Sequence, residues 1–185
     1  MYIDTCKRML RDRTYKTIVD NSKIDCPLTC DLLWVGRDKQ DKPEEGDCII
    51  LDCTSSAICV ELVRHIVKYM NTEDIRNCVL VVSKLNKTPI SAPARGVLKT
   101  AEDCWFQMFT DEHLHHPLID HYLQDPHTRV DRENAPAGDL TRFPTLGTTE
   151  YVVCWYGWRV GDIIRIDQRL GDLPQMEKWE IISDT

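Results

Sequence analysis

The sequence carries none of the short motifs that hold a nucleophile, a phosphate or a dinucleotide. There is no Gly-x-Ser-x-Gly elbow, no Gly-x-x-x-x-Gly-Lys-Ser/Thr loop and no Gly-x-Gly-x-x-Gly fingerprint, which argues for a binding or structural role over catalysis. Ser55-Ser56 reads as a helix cap, not a nucleophile. No apolar run reaches the ~18 residues of a membrane-spanning helix, so no membrane partner is expected. Met1 to Arg8 has neither an apolar signal core nor a small-residue cleavage site, so the expected location is the reducing side of the cell. Internal repeats and long low-complexity tracts are also missing. Positive charge is in deficit: 23 Lys and Arg against 30 Asp and Glu give a net charge of −7. That balance speaks against whole-surface nucleic-acid binding, which needs clustered cations.

Two local features qualify these absences. Lys7, Arg8, Arg11, Arg13 and Lys16 form one basic cluster, which as a rule is a solvated helix face. Nine cysteines, an odd number, are scattered from Cys6 to Cys154. Several lie in apolar runs, as do Cys48 and Cys53, where free thiols behave as small hydrophobes. The expectation is reduced, mostly buried thiols, not a disulfide framework.

The 185 residues, 42% hydrophobic, suit two small domains, placed at 1–110 and 111–185. Tyr2 to Thr17 reads as an amphipathic helix, with Ile3, Cys6, Leu10 and Tyr15 on one side. Residues 21–47 are rich in turn formers, and Leu32-Leu33-Trp34-Val35 is their one short strand candidate. Cys48–Cys53, Cys78–Val82 and Trp105–Phe109 read as strands. Helices between them are expected from Thr54 or Ser55 to Tyr69 and from a Ser91 cap to about Glu102, with Pro93 tolerated in the first turn. The first domain is therefore expected to be α/β, a βαβαβ unit with a largely parallel sheet. Beyond it, a short helix is expected around Leu118 to Gln124. Strands follow at Asp162–Asp167 and Lys178–Ile182, joined by a turn at Gly171-Asp172-Leu173-Pro174, in a small α+β C-terminal domain.

Candidate chemistry is sparse. Cys26-Pro-Leu-Thr-Cys30 has no second close Cys pair to complete a zinc site. His115 and His116, being adjacent, diverge on a strand, and His113, His115, His116 and His121 lack a carboxylate partner in a ligand pattern. Asp47, Asp52 and Glu61 approximate the carboxylates of a metal-dependent nuclease, but Glu61 falls inside the expected helix and no lysine follows it closely. The reading is no metal, no cofactor and no catalytic residue, with the small nuclease kept as the alternative, beside a free-standing protein-interaction adaptor.

The most informative stretch is Phe143 to Ile166: Phe143-Pro144-x-Leu146, then Trp155-Tyr156-Gly157, Trp158, Arg159 and Gly161, then Ile163-Ile164-Arg165-Ile166. It resembles, without a gap, the C-terminal assembly domain of the fifth subunit of eukaryotic nuclear RNA polymerases and of its archaeal equivalent. Met9-Leu-Arg-Asp-Arg-Thr-Tyr15 resembles the N-terminal helix of the eukaryotic subunit. Thr88-Pro89 with Ser91-Ala92 resembles the start of its jaw helix, and His113 and Pro117 fit its linker. The chain departs from the family at Thr149-Glu150-Tyr151, Cys154 and Ile119, and is shortened over 21–47, which suggests a diverged lineage, cellular or viral.

The resemblance implies an N-terminal jaw domain and a C-terminal assembly domain in a non-catalytic subunit of a multisubunit DNA-directed RNA polymerase, itself a nucleotidyltransferase complex. Phe143, Pro144, Leu146, Trp155, Tyr156, Gly157, Trp158, Arg159 and Gly161 would dock on the largest subunit, beside other subunits. Lys87, Thr88, Pro89, Ser91, Arg95, Arg8 and Arg11 would lie near downstream duplex DNA, contacting it weakly and without reading sequence. The location implied is the nucleus for a cellular protein, or the virion or cytoplasmic viral factory for a viral one. One local conflict follows. Tyr151–Tyr156 reads as strand on propensity, whereas the family has a short helix there. Glu150 ahead of it and Gly157 behind it agree with the helix.

Overall fold

In the computed structural model, residues 2–20, 30–55, 57–101, 103–138, 142–168 and 176–184 are described. Cys26 and the expected turn Gly171–Pro174 lie outside them, as does Glu102. The protein is mixed α/β, with two sheets and, among the described residues, five α-helices. It divides into two compact units, Met1–His116 and Pro117–Thr185.

The first unit is built on a five-stranded sheet in sequential order: β1 Tyr15–Asp20, β2 Asp31–Lys39, β3 Asp47–Asp52, β4 Ile75–Val82 and β5 Trp105–Thr110. β3, β4 and β5 are parallel and linked through α2 Val60–Thr72 and α3 Ala92–Thr100. The sheet is not largely parallel, because β1 and β2 extend it antiparallel from β3. The short connection 40–46 explains the β2–β3 pairing: it is long enough for a hairpin and too short for a crossover. Alternation along the strands splits the unit into two apolar layers. Ile49, Leu51, Cys78, Leu80 and Val82 pack against Leu62, Ile66 and Met70 of α2 and Ala94 of α3. The opposite face meets α1 Tyr2–Asp12 and α4 Asp111–His115, with Cys6, Met9, Leu10 and Leu114 fully buried.

Two helix boundaries lie five or more residues from the sequence reading, and the C-terminal ends of α2 and α3 shift by two or three. α1 ends at Asp12, not Thr17. Arg13 N–H donates to Met9 O, Thr14 takes a left-handed φ of 67°, and the β-branched run Thr17-Ile18-Val19 then pairs with β2. Tyr15 is buried, but from a strand. The second helix starts at Val60, because Thr54 is engaged elsewhere: its N–H and hydroxyl both donate to Asp52 Oδ1, at 2.9 and 2.7 Å. That turn sends the chain on in extended form, so that Ile58 bridges to Ile90 and is buried. Ser91 caps α3 as the sequence suggests, accepting from Ala94 N–H at 3.4 Å, and α3 runs to Thr100.

The second unit has a four-stranded sheet in the order β6 His127–Val130, β8 Ile163–Gln168, β9 Met176–Ser183, β7 Thr145–Gly147. The helix expected at Leu118–Gln124 is only a 3-10 turn, Leu118–Asp120. Leu118, Tyr122 and Leu123 all face solvent there, so no apolar face exists to fix a longer helix. α5, Tyr151–Tyr156, covers the sheet, and Val152, Val153 and Trp158 pack with Ile164, Ile166 and Ile182.

Candidate protein-docking surface

The stretch 143–166 folds as one continuous feature: β7, a turn, α5, a tight loop and β8. β7 is anchored to β9 by Ile181 N–H, which donates to Pro144 O at 3.0 Å. α5 is helical despite its β-branched and aromatic composition, because the helix buries Val152, Val153 and Trp155 together. Gly157 ends it with φ 70° and ψ 31°, and the N–H groups of Gly157 and Trp158 both donate to Val153 O. This is the left-handed glycine stop expected of a helix C-terminus.

The loop that follows is held by its own backbone. Arg159 N–H donates to Asp162 Oδ2 at 2.9 Å, and Asp162 N–H returns a bond to Arg159 O at 3.0 Å. Gly161 takes a φ of +90° and donates to Ile182 O at 2.9 Å. The Asp162 carboxylate, itself buried, also meets Arg129 Nη1 at 3.5 Å, which ties the loop to β6. Arg129 and Asp162 are each largely shielded from water, so this pair is screened less than a surface ion pair.

The candidate docking residues separate into interior and surface. Trp155, Trp158 and Gly157 are buried; Trp155 stacks with Tyr151 at 6.0 Å, and Trp158 with Tyr156 at 4.6 Å and 15°. Phe143, Leu146, Tyr156 and Arg159 are half-buried, while Pro144 and Gly161 are exposed. Tyr156 also lines a pocket of about 330 Å³ with Ile119, Tyr122 and His127. One residue escaped the sequence reading: Val160, 57% exposed at the tip of the tight loop. Its signal was present, an aliphatic residue held between Arg159 and Gly161 where the chain must turn.

In the first unit, Lys87 and Thr88 are exposed, and Pro89 O accepts from Ile58 N–H at 2.7 Å, which pins the loop before α3. Arg95 is exposed on α3. Arg8 pairs with Asp12 at 3.5 Å, and Arg11 is exposed in the last turn of α1. The structure does not gather Arg95 with Arg8 and Arg11, since α3 and α1 cover opposite faces of the sheet. Arg13 leaves the basic cluster altogether: it is 3% exposed and donates to Gln107 Oε1 at 2.7 Å. Lys7 lies over the Trp34 ring at 4.9 Å, a cation–π contact.

The three carboxylates of the nuclease alternative do not converge. Asp47 and Asp52 stand at opposite ends of β3, about 17 Å apart at the usual rise per residue, and Glu61 projects into solvent from α2. Asp47 accepts from Arg37 at 3.0 Å. Asp52 accepts from Thr54 and from the Tyr2 hydroxyl, and burial, followed by this bond to the carboxylate, pushes the Tyr2 phenol far above its ordinary range. Among the described residues no three His, Cys, Asp or Glu side chains could hold a metal ion together. His115 instead meets the Tyr2 ring edge-on at 5.3 Å, and His121 stacks on Tyr122. No protein-family model matches the chain, and no curated protein matches it either.

Proposed function

We propose that this protein is a non-catalytic subunit of a multisubunit DNA-directed RNA polymerase, of the type represented by the eukaryotic fifth subunit and its archaeal equivalent. Its second unit docks on the largest subunit and its first forms part of the jaw beside downstream duplex DNA. The observation that carries the reading is α5. The residues of Tyr151–Tyr156 favour a strand, the family resemblance implies a short helix ended by glycine, and the segment is a helix closed by left-handed Gly157. The capped start of α3 directly after Thr88-Pro89 lends further support.

Within this reading the docking residues divide by role. Trp155, Trp158 and Gly157 shape the surface from inside, and Pro144, Leu146, Tyr156, Arg159, Val160 and Gly161 supply contacts. Lys87 and Arg95 face phosphates through charge alone. The affinity-tagged full-length chain, purified natively from cells or infected cells that produce it, should bring down polymerase large subunits identifiable by mass spectrometry. Recovery of the chain alone, or with partners unrelated to transcription, would overturn the proposal in favour of an adaptor. Metal-dependent DNA cleavage lost in Asp52→Asn would instead favour the nuclease.

A further inference from the structure

The antiparallel register of β2 and β3 pairs Asp31 with Asp52 and Leu32 with Leu51. One step outward, Cys30 stands directly across from Cys53. Cys53 N–H donates to Val81 O on β4 at 2.8 Å. Since a strand residue sends its N–H and C=O to the same side, the Cys53 backbone turns away from β2. The Cys30–Cys53 position is therefore a non-hydrogen-bonded cross-strand pair, the closer of the two kinds, with Cα atoms about 4.5 Å apart. That spacing lies inside the range of roughly 4.4–6.8 Å that a disulfide spans without moving the backbone. Both thiols are free, Cys53 within the apolar cluster and Cys30 packed against it. They are unequal: Cys53 is 2% exposed, whereas Cys30 is half-buried.

We propose that Cys30 and Cys53 form a reversible oxidative modification site, in which Cys30 reacts with a hydroperoxide and Cys53 resolves the product to a disulfide. The neighbouring Cys53 thiol holds the Cys30 thiol below its ordinary value against the opposing effect of burial, and the same proximity together with burial raises Cys53. The proton therefore stays on the buried sulfur and the nucleophile is the one that solvent reaches. The Cys30 thiolate attacks the peroxide, the O–O bond breaks, and the departing oxygen takes a proton and leaves as water or alcohol. Cys30 is now a sulfenic acid. Cys53 Sγ attacks Cys30 Sγ, the S–O bond breaks, and water leaves with the Cys53 proton. Two thiols have lost two electrons and two protons, and the hydroperoxide has gained them. A dithiol reductant reverses the change by exchange at the sulfur exposed to solvent.

The full-length reduced protein, titrated with hydrogen peroxide, should yield a Cys30–Cys53 crosslinked peptide on non-reducing mass-spectrometric mapping, with fragment ions that localise both sulfurs. The link should appear before the exposed Cys59 is oxidised, and dithiothreitol should remove it. Cys30→Ser should abolish the link and leave buried Cys53 a free thiol, while Cys26→Ser should leave the link intact; Cys30 is not a fully buried position. Cys30 over-oxidised to sulfinic acid beside a free Cys53 would refute the proposal, and so would a Cys26–Cys30 bridge formed in preference.

Discussion

On the proposed docking role, Val160 is the residue that would separate docking from folding. It is 57% exposed on a loop whose backbone is fixed by Gly157, Asp162 and Ile182, so its side chain is displayed without contributing to the interior. Replacing it with Asp should change unfolding free energy by no more than about 0.5 kcal/mol, the usual range for a surface site. At an interface the effect differs. Burying the exposed half of a valine side chain is worth about 1 kcal/mol, and an unpaired carboxylate in its place adds a desolvation cost. A loss of at least about 1.4 kcal/mol, tenfold in Kd, should follow. Trp158→Ala is the contrasting variant: the side chain is 5% exposed and packs with Ile164, Ile166 and Ile182, so truncation should cost about 3–5 kcal/mol of stability. The assay is titration of the full-length variants against the purified largest polymerase subunit, with urea unfolding in parallel. An unchanged Kd for Val160→Asp, at unchanged stability, would mean that the loop 157–161 is not part of the docking surface.

The DNA-facing reading predicts that Lys87→Glu with Arg95→Glu leaves the fold intact and flattens the salt dependence of duplex binding by the reconstituted polymerase; an unaltered slope would remove these residues from the DNA path. Alkaline pH should destabilise the protein. Burial pushes Cys6 up to about 12 and raises Tyr2, Tyr15, Cys48 and Cys78 as well; the unfolded chain thus releases these protons first, and stability falls as pH rises from about 9. The urea midpoint should drop over that range, and Cys6→Ala should lessen the drop. Lys39 and Glu45 form an ion pair with both side chains almost wholly buried. Glu45→Leu alone should cost about 3–5 kcal/mol by stranding the ammonium, and Lys39→Met added to it should recover most of the loss in equilibrium unfolding.

The parts of the fold that were legible in sequence are those where one signal dominates. Cys48–Cys53 and Cys78–Val82 are short and apolar; the first became β3 to within a residue, and the second is the C-terminal part of β4, which begins at Ile75. Ser91 with Pro93 marked the start of α3 because few other residues satisfy a first helical turn. Boundaries failed where a side chain had two possible partners. Thr54 is a sound cap by type, yet its hydroxyl bonds back to Asp52, and the helix waits until Val60. The strand candidate Leu32–Val35 lies within β2, whereas β1 was obscured because Tyr15 and Thr17 were read as the end of the first helix, which stops before Thr14 takes a positive φ.

The site obeyed the same logic with one further difficulty: sequence reveals which residues are aromatic but not which side of the backbone they occupy. Trp155 and Trp158 are of a type that serves equally as interface anchor or core, and both lie inside. Val160, ordinary by type, is the residue the loop presents. The Cys30–Cys53 pair shows why. Their separation in sequence says nothing, whereas a register fixed by the hairpin sets them opposite each other, and a one-residue slip would turn Cys30 to the other face. Reactivity in this chain is therefore a property of pairing. The register also yields its own control, because Cys48 lies on β3 with the opposite parity to Cys53, fully buried against Arg13. Hydrogen peroxide that reached Cys48 as readily as Cys30 would show that oxidation follows global opening of the sheet and not the cross-strand geometry.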